Sequence, residues 1–360
     1  MLTTNRKSII YTLIGLYFFL ASIVMIKEAV TLFSEAFATT ILSLIHDTTT
    51  GAFGGWIATA LLQSSGAFDS IIVAFASAGV LPLSVSVAAI IGAEVGTTVT
   101  TQFVSVLGYI RKKGDEFSST FTVSMMHFWY NMFTFIIFYI LELFTGALTQ
   151  IAKMGSSVFA TIGGLAAVPS LLDAITPWIP PLLRLIPPWI GLIAGVAMLV
   201  GSLMSTEKHM TATFSMPKSW NLIRATFTRP LRSFLAGFVF TIFVPSTSVM
   251  VSLLVPLVAS GVLKTDYYLL PYIMGANIGT VFDVLMAALA TGNSVAMGVW
   301  LIHLFINLVG AAIFLPLMKP FGIFINRTTK WLTHKRIRAV FLLVMSHVIP
   351  LLVVGFSLLF

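Results

Sequence analysis

Long apolar runs alternate with short polar stretches along the chain, and the lengths of the runs predict membrane helices. A helix needs about 20 residues to cross a bilayer. Runs of adequate length cover residues 9–26, 83–109, 118–146, 184–204, 266–290, 294–318 and 339–359. We therefore predict an all-α polytopic membrane protein with about seven membrane crossings.

Two further apolar segments do not fit as simple spans, because a small polar patch interrupts each of them near its middle. Segment 52–80 contains Gln63-Ser64-Ser65-Gly66, and segment 233–262 contains Pro245-Ser246-Thr247-Ser248. Irregular backbone at membrane depth is tolerated only where protein or water covers it. We predict that each segment is a re-entrant helical hairpin.

The composition excludes several classes of protein. Hydrophobic residues make up 58% of the chain and charged residues only 9%, whereas about 25% of a soluble domain is charged. This balance excludes an ordinary soluble domain and a disordered chain. The absence of cysteine excludes disulfides and thiolate chemistry. Since no nucleophile–base pair or metal cluster is evident, we predict no enzyme activity.

The net charge of +8 is distributed in short basic clusters between the apolar runs. In a membrane protein such clusters mark cytoplasmic loops, so we expect no binding of nucleic acid. We place the N-terminus, residues 111–113, 208–232 and 319–338 in the cytoplasm. The lack of a large soluble domain predicts a prokaryotic inner membrane.

The chain contains an internal repeat. Four motifs recur in the same order: 63–70 with 245–252, 78–81 with 260–263, 92–97 with 275–280, and His127-x-x-x-Asn131 with His303-x-x-x-Asn307. The charge pattern gives the two copies opposite orientations. Inverted repeats with interrupted helices are typical of secondary transporters.

These patterns divide the chain into five segments. We assign 1–50 to an N-terminal membrane helix and an interfacial segment, and 51–146 to the first repeat. Residues 147–232 form a connecting segment with one membrane helix and a basic cytoplasmic loop. The inverted second repeat is 233–318, and 319–360 form a basic loop and a C-terminal membrane helix.

The polar breaks are suited to a small oxyanion, because hydroxyls, an amide and free backbone N–H groups are neutral donors. Carbonyl and hydroxyl oxygens suit Na⁺. Lys and Arg are absent from residues 28–110 and 233–263, whereas Asp69, Glu94 and Asp283 lie near the breaks. An anion there needs a compensating charge, which favours a symporter that binds cations together with the anion.

Each His-x-x-x-Asn pair lies on one helical face. A structural hydrogen bond across the repeat interface and a direct ligand role are evenly balanced for His127, Asn131, His303 and Asn307. We expect no His-based metal site, because no carboxylate is spaced to join either pair.

Taken together, the repeated break motifs, Gly-Ala-Asn-Ile-Gly-Thr at 275–280 with its partner at 92–97, and the two His-x-x-x-Asn faces resemble the type II sodium–phosphate cotransporter family over about residues 50–320. The resemblance implies Na⁺-driven uptake of inorganic phosphate by alternating access, with no cofactor besides the coupling ion. By position it implicates in substrate binding Gln63, Ser64, Ser65, Ser246, Thr247, Ser248 and Asn277. It also implicates Thr97, Thr98 and Thr280. Together with the acids near the breaks, Asp69, Glu94 and Asp283, these residues are the candidates for Na⁺ binding.

The sequence departs from the family pattern at several of these positions. The second Gln is Pro245, the Asn of the first turn is Glu94, and Thr-rich positions hold Asp69, Phe282 and Asp283. The first hypothesis is a Na⁺-coupled symporter for phosphate or a similar oxyanion. The alternatives are a transport-inactive membrane regulator or scaffold with the same fold, and a H⁺-coupled carrier of a different anion. A homodimer is left open.

Overall fold

The computed structural model describes residues 6–32, 44–110, 112, 114–161, 174–214, 226–259, 261, 263–265 and 268–357. Every regular element in these residues is a helix. The helices of the first half are α1 Arg6–Thr31, α2 Thr48–Leu62, α3 Ser65–Ser77, α4 Leu83–Gly96, α5 Thr98–Tyr109, α6 Gly114–Thr145, α7 Ala147–Thr161 and α8 Ile179–Leu183. Those of the second half are α9 Pro188–Phe214, α10 Pro230–Phe243, α11 Thr247–Ser252, α12 Leu254–Ala259, α13 Leu269–Thr291, α14 Ser294–Phe314, α15 Met318–His334 and α16 Ile337–Ser357.

Five helical stretches are long and apolar enough to cross a membrane: Leu83–Val106, Gly114–Thr145, Leu269–Thr291, Ser294–Phe314 and Ile337–Ser357. They confirm an all-α membrane protein and five of the predicted spans by length and composition. The other two predicted spans fall in α1 and α9, whose apolar parts are shorter, so the total of seven stays a prediction.

Two of the predicted segments differ from the structure or fall outside it. Most of the basic stretch 319–338, predicted as a loop, forms α15. Its apolar residues Phe321, Ile325 and Leu332 recur at helical spacing and are buried, which explains why a charged segment is helical. Most of the interfacial segment predicted within 1–50 lies outside the described residues.

Both polar patches break a helix, as predicted. After α2, Gln63 adopts a left-handed conformation (φ 55°), and the Ser64 side chain then accepts a hydrogen bond from the Ala67 N–H to cap α3. After α10, Ser246 accepts in the same way from the Val249 N–H and caps α11. Capping satisfies N–H groups that a helix start otherwise leaves open.

In the first half, glycine brings α2 and α4 into backbone contact. A Cβ added at Gly55 would overlap the carbonyl oxygen of Ala89, and a Cβ at Gly92 would overlap that of Ala52. Only residues without a side chain allow this approach, which is a common mode of helix packing in membranes. The contact fixes how α2 lies on α4.

The same contacts recur in the second half between α10 and α13. A Cβ added at Gly237 would overlap the carbonyl oxygen of Tyr272, and a Cβ at Gly275 would overlap that of Phe234. Each helix that ends at a polar break is therefore held against a long buried helix through glycine in both halves. This arrangement places the two breaks in the protein interior.

Replacing Gly275 with alanine should destabilise the protein by about 1–3 kcal/mol, because the new methyl group forces two backbones apart. Gly92→Ala should have an effect of the same size. Thermal unfolding in detergent measures both. Gly201→Ala in α9 is the control, because no heavy atom of the part of the chain that the structure describes lies within 4 Å of its added Cβ. A melting temperature that falls equally in all three variants would contradict the packing described here.

Candidate functional site

Hydroxyl groups from the two breaks meet in the interior. Ser65 at the start of α3 donates to Thr97 Oγ1 at 3.5 Å, and Thr97 Oγ1 lies 2.8 Å from Ser248 Oγ on α11. Ser248 Oγ also donates to the Thr97 carbonyl at 2.9 Å. A chain of hydrogen bonds thus runs from the first break, through the junction of α4 and α5, to the second break.

The second break is tied to α13 by further hydroxyl contacts. Thr247 Oγ1 donates to the Ala276 carbonyl at 3.2 Å and to Thr280 Oγ1 at 3.4 Å. All of these hydroxyl side chains are buried. We call this group the hydroxyl cluster; it comprises Ser65, Thr97, Thr247, Ser248 and Thr280.

Several predicted residues lie outside the hydroxyl cluster. The Ser64 and Ser246 side chains cap helices, and Gln63 is exposed. The Thr98 hydroxyl donates to the Val95 carbonyl at 2.7 Å and accepts from Gln102 at 3.4 Å. Of the serines that open the two breaks, Ser65 and Ser248 bring their hydroxyls together with Thr97.

A second group joins Asp69 on α3, Glu94 on α4 and His303 on α14. His303 Nε2 lies 2.9 Å from Glu94 Oε1, and His303 Nδ1 lies 3.6 Å from Asp69 Oδ2. One ligand atom from each residue lies within 4.8 Å of the others, and all three residues are buried. We call these residues the acid–histidine cluster. Asp69 follows Ser65 by four residues, and Glu94 precedes Thr97 by three. Residues at these spacings lie one helical turn apart, so the acid–histidine cluster lies one turn from the hydroxyl cluster.

Asparagine amides hold the Glu94 carboxylate in place. Asn277 Nδ2 donates to Glu94 Oε2 and Asn307 Nδ2 donates to Glu94 Oε1, each at 3.2 Å. Asn277 Nδ2 also donates to Asn131 Oδ1 at 2.6 Å. Residues from both repeated His-x-x-x-Asn motifs therefore surround one carboxylate.

The two histidines of these motifs have different surroundings. His127 Nδ1 lies 3.1 Å from the Thr101 hydroxyl, whereas His303 faces Asp69 and Glu94. The expectation that no carboxylate joins either pair was wrong for His303. The acids are distant in sequence, and packing of α3 and α4 against α14 brings them to it. The only hint in the sequence is that each is an ionisable residue within an apolar run.

Gly66 of the first break lies against Asp283 of α13. A Cβ added at Gly66 would overlap the Asp283 carboxylate, and Asp283 Oδ1 accepts from the Val284 N–H at 2.7 Å. Glycine at position 66 therefore leaves room for the acid at position 283.

Gly66→Ser alone should destabilise the protein by about 1–3 kcal/mol, because the buried Asp283 carboxylate must turn away. The double variant Gly66→Ser with Asp283→Ser should recover most of that loss, because the shorter side chain removes the overlap. Thermal unfolding of the wild type, both single variants and the double variant gives the coupling. Additive losses would disprove the spatial link.

The chain is similar to phosphate transport proteins. The family described as Na⁺/Pi-cotransporter matches residues 18–168 and 197–345, two stretches of nearly equal length that each contain one polar break. Sodium-dependent phosphate transport protein 2A of Rattus norvegicus is 25% identical over 95% of this chain and 66% of its own length. Protein 2B of Bos taurus is 24% identical over 97% of this chain and 65% of its own length.

A bacterial relative is also similar. The uncharacterised protein YqeW of Bacillus subtilis (strain 168) is 24% identical over 72% of this chain and 66% of its own length. The chain thus spans about two thirds of the length of each of these relatives. No solved structure matches it.

Proposed function

Because the chain belongs to the Na⁺/Pi-cotransporter family, we propose that it is a secondary active transporter that couples Na⁺ entry to uptake of inorganic phosphate or a similar small oxyanion. The rat and bovine relatives are named sodium-dependent phosphate transport proteins. The observation that carries the proposal to particular residues is the hydroxyl cluster, in which Ser65, Thr97 and Ser248 join the two breaks.

The cargo is an oxyanion, and the hydroxyls are its donors. Hydroxyl groups that now bond to one another exchange those bonds for bonds to the anion when the two breaks separate. Neutral donors bind an anion without bringing a fixed positive charge into the membrane. Ser65, Thr247 and Ser248 take this role, and Asn277 lies one turn from Thr280 beside them.

Na⁺ binds to the oxygen atoms of the same cluster. Thr97 offers a hydroxyl and a carbonyl oxygen, and the Thr247 and Thr280 hydroxyls lie 3.4 Å apart. Oxygen-only sites suit a hard monovalent cation. Asp283 follows Thr280 by three residues and adds negative charge to this Na⁺ site. Thr98, which follows Thr97 directly, is the remaining candidate ligand. Asp69 and Glu94 face a nitrogen ligand, so we assign no Na⁺ to them.

Many transporters achieve alternating access with two repeats that face the membrane in opposite directions. We place these inverted repeats at residues 51–146 and 233–318. The support is that the glycine contacts, the capping serines and the asparagine-to-histidine carbonyl bonds at 3.0 Å recur in both halves. We also propose that the N-terminus lies in the cytoplasm. The membrane in this proposal is a prokaryotic inner membrane.

Uptake of radiolabelled phosphate into proteoliposomes tests the function. We expect uptake with an inward Na⁺ gradient and none with a matching K⁺ gradient. Absence of uptake under both gradients, with inserted and folded protein, would reject Na⁺–phosphate symport and favour the transport-inactive alternative. Uptake driven by a H⁺ gradient alone would reject Na⁺ coupling.

The double variant Ser65→Ala with Ser248→Ala tests the site. Each hydrogen bond to a charged ligand contributes about 1.5–3 kcal/mol, so the loss of two should lower the initial uptake rate at low phosphate by at least roughly 100-fold. Ser124→Ala is the matched control, because the buried Ser124 hydroxyl donates to the Phe121 carbonyl of its own helix at 2.9 Å. Full uptake by the double variant would remove the hydroxyl cluster from the mechanism.

A further inference from the structure

The acid–histidine cluster contains buried polar atoms without hydrogen bonds. Among the described residues, neither carboxylate oxygen of Asp69 and neither ring nitrogen of His303 has a hydrogen-bond partner, although both side chains are fully buried. The 2.9 Å contact between His303 Nε2 and Glu94 Oε1 lacks the geometry of a hydrogen bond. Nearly all buried polar groups in proteins are hydrogen-bonded, so the Asp69 carboxylate, whose Oδ2 lies 3.6 Å from His303 Nδ1 without a hydrogen bond, indicates a ligand in this cluster.

The charge of the cluster requires a cation. Asp69 and Glu94 are buried carboxylates, and no Lys or Arg is among the buried side chains that the structure describes. Two carboxylates that share a single imidazole are costly in a low-dielectric interior. One divalent ion would neutralise both.

The donor atoms select the kind of cation. The cluster offers two carboxylate oxygens and one imidazole nitrogen. Na⁺, Mg²⁺ and Ca²⁺ prefer oxygen ligands, whereas Zn²⁺ and Mn²⁺ accept imidazole and carboxylate together. Ligand atoms of a tetrahedral Zn²⁺ site lie roughly 3.3 Å apart, so the three donors, which lie within 4.8 Å of one another, need only a small movement to bind one ion.

The Glu94 carboxylate is already oriented for such a role. The Asn277 and Asn307 amides each donate to one of its oxygens at 3.2 Å. Hydrogen bonds of this kind orient metal-binding carboxylates and sustain the affinity of the site.

We propose that Asp69, Glu94 and His303 bind one divalent transition-metal ion of the Zn²⁺ or Mn²⁺ class. The ion is separate from the Na⁺ that drives transport, and its binding does not depend on phosphate being the cargo. It lies one helical turn from the hydroxyl cluster, where it neutralises two carboxylates that would otherwise repel an anion.

The first repeat provides a natural control. His127 occupies the position that corresponds to His303, is equally buried, and faces the Thr101 hydroxyl instead of a carboxylate. The proposal therefore predicts one metal ion per chain, bound through His303 and not through His127.

Titration of tag-free, metal-stripped full-length protein in detergent tests the site, with Zn²⁺ and Mn²⁺ added separately and no phosphate present. Calorimetry should give one high-affinity equivalent for at least one of the two ions, and elemental analysis after desalting should recover that ion. His303→Gln should weaken binding at least about tenfold, and His127→Gln should leave it unchanged. Asp69→Asn is nearly isosteric, and it provides a second test if His303→Gln does not fold.

Three outcomes would overturn the proposal. The first is folded wild-type protein that binds neither ion, which would favour an imidazolium held between two carboxylates. The second is equal loss of binding in the His127 and His303 variants. The third is displacement of the bound ion by millimolar Na⁺, which would identify a Na⁺ site. Because binding is measured without phosphate or a gradient, its result is independent of the uptake experiment.

Discussion

A bilayer core contains no water to hydrogen-bond a broken helix, and this constraint organises the whole protein. Each break therefore satisfies its own backbone and then docks on another polar segment. Ser64 and Ser246 cap the helices that follow the breaks, and the Thr97 carbonyl accepts from Ser248. Because Ser65 of the first break and Ser248 of the second break both bond to Thr97, the two breaks share one location, and that location becomes the polar centre of the molecule.

The local features of this fold were predictable from the sequence. A short polar patch within an apolar run predicted the position of each break. A helix that starts or ends inside the protein needs polar residues there to cap its free backbone groups. Helix ends were less accurate: α6 begins at Gly114, before the apolar run at 118, because Asp115 and Glu116 favour the first turn of a helix without being apolar. Hydropathy also missed α15, whose apolar residues form only one face.

The contacts that give the centre its chemistry were not predictable in the same way. His303, Glu94 and Asp69 lie on three helices, and no spacing within the chain relates them. The repeat even suggested that His127 and His303 would have equivalent surroundings. Their difference arises because Asp69 and Glu94 lie on α3 and α4, and only the packing of those helices against α14 decides which histidine meets them.

The glycine contacts have a mechanical consequence. Packed helices usually shear by small sliding movements, in which interlocked side chains readjust. Gly92 and Gly275 remove that side-chain layer, so a backbone carbonyl of the neighbouring helix fills the groove directly. The helix pairs α2–α4 and α10–α13 then move as two rigid units. Any change in which side of the membrane reaches the centre is concentrated at the contact between the two pairs, where exchangeable hydrogen bonds of Thr97, Ser248, Glu94 and Asn277 join them.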